Sequence, residues 1–240
     1  MSWTRPSNIP FPSVWHTFKA KDLDSDELVE YRVQDMPPEY HQKAMDLMQF
    51  DFLRDEVLCA STEISKDEVS LKEILELWQQ MLKGNTVLAC FRENSDELVG
   101  LNMVMVETKD NPESKDYDKK IRGEKWKIVY GAVKELINRC NVFEKYNVDK
   151  YLGAMGLSVD TKYRGRGIGV EILKARVPMC KALGISLTST VFTGIASQKQ
   201  AIRAGFTDDV EVDYSELNRL GYHLPGVKVK SIKLMSLEIK

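Results

Sequence analysis

The sequence predicts an α+β domain in which a mixed sheet gathers around one strand–turn–helix unit. Two observations carry this. The hydrophobic period changes along the chain, from helical spacing to strand-like runs and back. One strand also enters a turn with glycine at 165, 167 and 169 and leaves it as a helix. At 240 residues, with 43% hydrophobic and 29% charged residues, the chain can bury a sizeable core and is neither disordered nor fibrous.

Residues 1–27 hold two tryptophans and three prolines with little periodicity, so they are expected to form an arm packed on the domain of residues 28–240. The arm is expected to contain one short strand near Val14–Phe18. A strand at Val29–Val33 follows. Pro37 and Pro38 then open a helix, since proline is tolerated in a first turn. Tyr40, Ala44, Leu47, Met48 and Phe52 share one face of it, up to a polar break in FLRDEVLCAST. Residues 66–83 read as a second helix from the stripe Leu71, Ile74, Leu75, Trp78 and Leu82, stopped by Gly84-Asn85. Residues 86–92 and 97–107 form a hairpin about ENSD, and 109–120 a mobile, charged loop. A helix over 126–137, a strand over 151–159, the glycine turn and a helix over 168–183 follow. Pro178 is expected to kink or break that last helix. A strand over 186–192, a helix over 197–204 ended by Gly205-Phe206, and strands over 209–214 and 227–239 complete the order.

Charge and cysteine usage narrow the function classes. Lys and Arg number 34 against 36 Asp and Glu, a balance that argues against a surface built for nucleic acid. No apolar run approaches a membrane span, and the proline-rich N-terminus lacks the apolar region of a signal peptide. Cys59, Cys90, Cys140 and Cys180 are widely spaced and form no CxxC pair. Reduced thiols, no metal and a cytoplasmic location are the expectation.

The segment LSVDTKYRGRGIGVEILKARV (157–177) is the most informative. Backbone N–H groups at a glycine-rich helix start, with the helix dipole behind them, suit a pyrophosphate. A Walker loop would end in Gly-Lys-Ser/Thr, which is absent. A dinucleotide fingerprint would need a third glycine where Val170 stands. The remaining pattern, Arg/Gln-x-x-Gly-x-Gly/Ala, is matched by Arg164, Gly167 and Gly169. With a strand before it, then a helix, a strand, and a helix ending in Gly-Phe, the chain resembles the Gcn5-related N-acetyltransferases from about residue 29 onward. Phe52-Leu53-Arg54-Asp55-Glu56, Thr193 and Ser197 make it most similar to the insect arylalkylamine N-acetyltransferases.

That resemblance implies a mostly antiparallel sheet splayed around the pyrophosphate loop. It also implies acetyl-CoA as acyl donor, with Leu157, Ser158, Val159, Arg164, Gly165, Arg166, Gly167, Ile168, Gly169 and Val170 holding it. Lys199, with Arg203 four residues on, would reach its phosphates. Glu56 corresponds to the proposed general base, although Val57 stands where proline is usual. Asp55 is the nearby alternative. Thr193 and Ser197 match two catalytic-site serines, the first replaced by threonine, and serve either as proton donors or as helix caps. Tyr222 and His223 would border the acceptor amine. The usual tyrosine acid is replaced by Ala201. The implied acceptors are arylalkylamines of the dopamine, serotonin or tryptamine type. Polyamines, hydrazine-like amines, a longer acyl-CoA donor or a silent acyl-CoA-binding protein are the alternatives. A monomer is expected, with a dimer as the alternative.

Overall fold

The computed structural model describes residues 3–23, 25–111 and 117–240. Eight strands form one sheet: β1 (Val14–Lys21), β2 (Leu28–Asp35), β3 (Leu88–Arg92), β4 (Leu98–Thr108), β5 (Lys150–Val159), β6 (Leu187–Phe192), β7 (Thr207–Asp213) and β8 (Ser231–Glu238). Their order across the sheet is β1-β2-β3-β4-β5-β6-β8-β7. Every neighbouring pair is antiparallel except β5 and β6, which are parallel. The expected α+β fold with a mostly antiparallel sheet is therefore present.

The arm supplies more than packing, because β1 pairs with β2 from Val14 to Lys21 and closes one sheet edge. Arg5 ties the preceding residues down through a 2.8 Å ion pair with the fully buried Asp35. The Trp15 indole donates to the same carboxylate at 2.8 Å.

The first predicted helix is divided. α1 (His41–Asp46) passes into a widened π-turn over Leu47–Phe52, and one more turn, Leu53–Asp55, ends it. Glu56 is extended and caps α2 (Val57–Thr62). α3 (Glu68–Lys83) starts two residues later than predicted, because the Asp67 side chain accepts from the Ser70 N–H at 2.8 Å and sets the cap. α4 spans Glu124–Arg139. α5 (Ile168–Leu183) runs through Pro178 without a break, its apolar face held against the sheet. α6 (Ile195–Arg203) starts two residues before the predicted position, with Gly194 as its cap. A short α7 (Tyr214–Arg219) interrupts a stretch predicted as strand to Tyr214, and β8 starts at Ser231 rather than 227. The Tyr214 and Leu217 pair buried by α7 is too brief a period to read from sequence. Of the loop expected over 109–120, residues 112–116 lie outside the described residues, and Tyr117–Lys120 is one helical turn.

α5 covers one sheet face, where Ile168, Ile172, Ala175 and Met179 meet Val33, Leu88, Val99 and Leu152. The opposite face is covered by α1 to α4, with Met48, Leu58, Trp78 and Trp126 against Leu101, Met103 and Tyr151. Burying side chains of this size contributes about 1.5–3 kcal/mol each and fixes where both helix layers sit.

Candidate active site

The site lies where the sheet stops being continuous. β5 and β6 share a single register pair, Leu152 with Thr188. On its other side β5 carries a bulge: Leu157 pairs with Asn102 and Ala154 with Val104, so Met155 and Gly156 together face Met103. Gly156 has φ +132, and a Cβ there would lie 2.5 Å from Met48 Cε, so only glycine lets the π-turn approach the bulge. A cavity of about 550 Å³ opens at this gap, lined by β5 from Ala154 to Val159, by β6, by α2 and by α4.

Of the glycine turn only Arg164 lines this cavity, and residues 165 to 170, expected to hold the cofactor, follow it directly in the chain outside the lining. Gly165 (φ +82) and Gly167 (φ +80) take the left-handed conformation, with open space where a Cβ would be. Gly169 differs: a Cβ would lie 2.4 Å from Gln200 Oε1, so the Gln200 amide of α6 rests directly against the α5 backbone there. Among the described residues, no backbone carbonyl takes up the N–H groups of residues 165 to 169. They stand at the positive end of a 16-residue helix. Such a row of free donors fits a pyrophosphate, and the parted strands beyond it fit an amide-bearing arm. Ile168 and Val170 are buried, Ile168 in the core beneath the sheet.

The two arginines of the turn are engaged with other groups of the chain. Arg166 donates to the carbonyls of Asp22, Leu23, Lys162 and Arg164, which holds the turn to the arm. Arg164 donates to the Val159 carbonyl and pairs across the cavity mouth with Asp55 at 2.6 Å. Lys199 is exposed on α6. Leu157, Ser158 and Val159 all line the cavity, and Ser158 Oγ is buried with no partner among the described residues.

Glu56 also lines the cavity. Its carboxylate accepts from the Leu58 N–H at 3.2 Å, the Cys59 N–H at 2.8 Å and the Thr193 hydroxyl at 2.5 Å. A carboxylate offers about four lone-pair sites, so one remains for a further donor. Thr193 is therefore a partner of Glu56 and not a helix cap. Ser197, in the first turn of α6, supports its Gly194 cap: its Oγ accepts from the Gly194 N–H and donates to the Gly194 carbonyl. Asp55 is paired with Arg54 and Arg164, and these guanidiniums, Arg54 foremost, lower its pKa despite partial burial. Burial, with Glu56 nearby, pushes the Cys59 thiol well above its usual value. Tyr214 donates to the Thr193 carbonyl at 2.8 Å, and burial followed by Glu56 pushes its phenol up.

Tyr222 and His223 do not line this cavity. Tyr222 packs over Gly131 of α4, and His223 is exposed. The wall they were expected to form is made by Ile74, Trp126, Val129, Val133 and Val229. Ala201, in the place of the usual tyrosine, is fully buried among Leu173, Phe192 and Phe206. Asn102, Arg176 and Gln200 also line the cavity and were missed. Arg176 was legible, standing four residues after Ile172 and therefore on the buried stripe of α5. Burial lowers its pKa to about 10.

No helix among the described residues is long and apolar enough to cross a membrane, and none of their His, Cys, Asp and Glu form a metal-binding group. All four cysteines are free. No family model and no curated protein matches the sequence. Solved structures do. The crystal structure named as "insect putative arylalkylamine N-acetyltransferase 7", from the yellow fever mosquito Aedes aegypti, is 43% identical, with a TM-score of 0.94 over 99% of this chain and 100% of that one. Arylalkylamine N-acetyltransferase 2 of the same mosquito (20% identity, TM-score 0.78, 88% and 99% covered) shares the fold. So does the Drosophila melanogaster polyamine N-acetyltransferase that forms N-acetylagmatine (19%, 0.75, 87% and 100%). With a parted parallel strand pair, a glycine turn of free N–H groups and a full-length relative at this identity, the chain belongs to the arylalkylamine N-acetyltransferases, acyltransferases of the Gcn5-related fold.

Proposed function

We propose that the protein transfers an acetyl group from acetyl-CoA to a small primary amine with an apolar or aromatic body, by direct attack of the neutral amine in a ternary complex. One observation carries the reading: Glu56, held by three donors with a lone pair to spare, faces a cavity otherwise walled by Trp126, Val129, Val133 and Ile74. The N–H row of residues 165 to 169 would take the pyrophosphate, and the β5 backbone from Leu157 to Val159 the pantetheine amides. Acetyl-CoA, when bound, supplies an acyl carbon already activated as a thioester.

The chain's own residues do the rest. An alkylamine with a pKa near 10 is neutral in only about one molecule per thousand at pH 7, so proton removal is a real barrier. Glu56 attracts the ammonium ion and takes its proton, directly or through one water. Thr193 keeps the carboxylate turned toward the cavity. The apolar wall excludes water and stacks on the amine's body.

A polyamine would bring a second ammonium. Asp55 and Glu56 are the acids among the lining residues, and Asp55 is already bound to two guanidiniums. This favours a monoamine such as tryptamine, serotonin or dopamine. The test is release of CoA thiol with a panel of arylalkylamines, polyamines and hydrazines. Turnover ranked by kcat/KM is expected to favour arylalkylamines, and silence across the panel overturns the reading.

A further inference from the structure

We infer that Arg176 and Asn102 are positioning residues that aim the backbone of the β5 bulge at the acyl group; this rests on the proposal that the gap takes acetyl-CoA. Arg176 is 1% exposed and has no carboxylate partner among its hydrogen bonds. A charge buried in this way destabilises a fold relative to an apolar residue, so its retention calls for a role beyond packing. Its guanidinium bridges the strands around the gap. Nε and Nη2 donate to Asn102 Oδ1 of β4 at 2.9 and 2.6 Å. Nη1 donates to Thr188 and Thr190 of β6 at 3.2 and 2.8 Å.

The fork accepted by Oδ1 fixes the Asn102 amide with its NH2 turned outward. That group donates to the Gly156 carbonyl at 2.7 Å. Gly156 and Leu157 share a trans peptide, in which C=O and N–H point in opposite directions. Holding the Gly156 carbonyl toward Asn102 therefore turns the Leu157 N–H away from the α5 face. The positive φ of Gly156 is what lets the strand present its peptide this way. An N–H so fixed is a preorganised donor for the oxygen that gains charge as an amine attacks.

Asn102→Asp separates this role from packing. It keeps the acceptor for Arg176, now as an ion pair, and loses the donor to Gly156, placing a carboxylate oxygen against a carbonyl. The expected result is an unchanged or raised Tm, a ten- to hundredfold fall in kcat, an amine KM within about twofold of wild type, and acetyl-CoA bound about fivefold more weakly by calorimetry while free CoA, which has no acyl oxygen, stays within about twofold. A kcat within threefold of wild type overturns the inference while leaving the acetyltransferase reading intact. If that variant does not fold, Arg176→Met, which removes the buried charge, is read on the same scale: about tenfold loss in kcat and in acetyl-CoA affinity, against no change if Arg176 only packs. If wild type binds acetyl-CoA and CoA without turning over any amine, the acetyl-transfer reading fails. Acetyl-CoA affinity then decides: weakening in Asn102→Asp beyond that of free CoA supports the inference, and no change overturns it. A wild type that binds acetyl-CoA no better than CoA overturns it as well. A wild type that does not bind CoA overturns both.

Discussion

Replacing Glu56 by glutamine removes the proposed base while almost conserving its shape. The carboxylate now caps α2 through two backbone N–H groups and accepts the Thr193 hydroxyl. Glutamine keeps one carbonyl oxygen, so one of those N–H groups loses its partner. An N-cap change of this kind costs about 1 kcal/mol, or a Tm lower by about 2–4 °C in a chain of this size. Catalysis is hit much harder, since a positioned base contributes about 10²–10⁴-fold. The kcat with tryptamine, followed by CoA thiol release at saturating acetyl-CoA, is expected to fall by that factor at pH 7. The variant must wait for amine that is already neutral, so its rate should rise about tenfold per pH unit from pH 7 toward 9. Wild type should rise less steeply. CoA affinity, set at the glycine turn and β5, stays within twofold. A variant with kcat within threefold of wild type and the same pH profile would refute Glu56 as base.

Gly167→Asp forces a side chain onto φ +80 and sets a negative charge among the free N–H groups, so CoA binding by calorimetry should weaken at least a hundredfold with circular dichroism unchanged. Arg5→Ala leaves the fully buried Asp35 without its cation; the loss is about 3 kcal/mol or more, a Tm fall of roughly 6–12 °C by calorimetry, with kcat unaffected. Cys59 is buried and its thiol stays protonated, so Cys59→Ala should keep turnover within about threefold, and mass spectrometry of enzyme incubated with acetyl-CoA should show no acyl adduct. The same burial sets a pH dependence: the unfolded thiol ionises above about pH 8.5 while the folded one holds its proton, so stability falls as pH rises there. Thermal melts from pH 8 to 10 should show a shallower decline in Cys59→Ala than in wild type.

The glycine turn was readable because a row of N–H groups at one helix start is made by consecutive residues. Gly165, Gly167 and Gly169 fall within one turn and one helix start, so their spacing and the order of elements around them made the turn stand out. Helices with long apolar stripes, such as α3 and α5, were equally plain, since each stripe records a buried face. Short or irregular pieces escaped: the π-turn at Leu47–Phe52 and the two-turn α7 carry too few periods to read. Residues 162–203 hold eight Lys and Arg against one acid, Glu171, yet several of those charges are already engaged or buried. In the fold, Arg166 is spent on carbonyls, Arg164 on Asp55, Lys174 on Glu171, and Arg176 is buried beneath the gap.

The sequence by itself determined the fold class and the glycine turn, because period and glycine spacing are properties of neighbours along the chain, while Glu56 stood out through the family resemblance. Tertiary structure alone decided that Thr193 serves Glu56. It also decided that Tyr222 and His223 stand outside the cavity, and that Trp126, Val129 and Val133 wall it. Those contacts join residues about 70 to 140 positions apart, as Glu56–Thr193 (|i−j| of 137) and Asn102–Arg176 (74) do. Their geometry is fixed by how two helix layers pack on a parted sheet, and no local pattern encodes that packing.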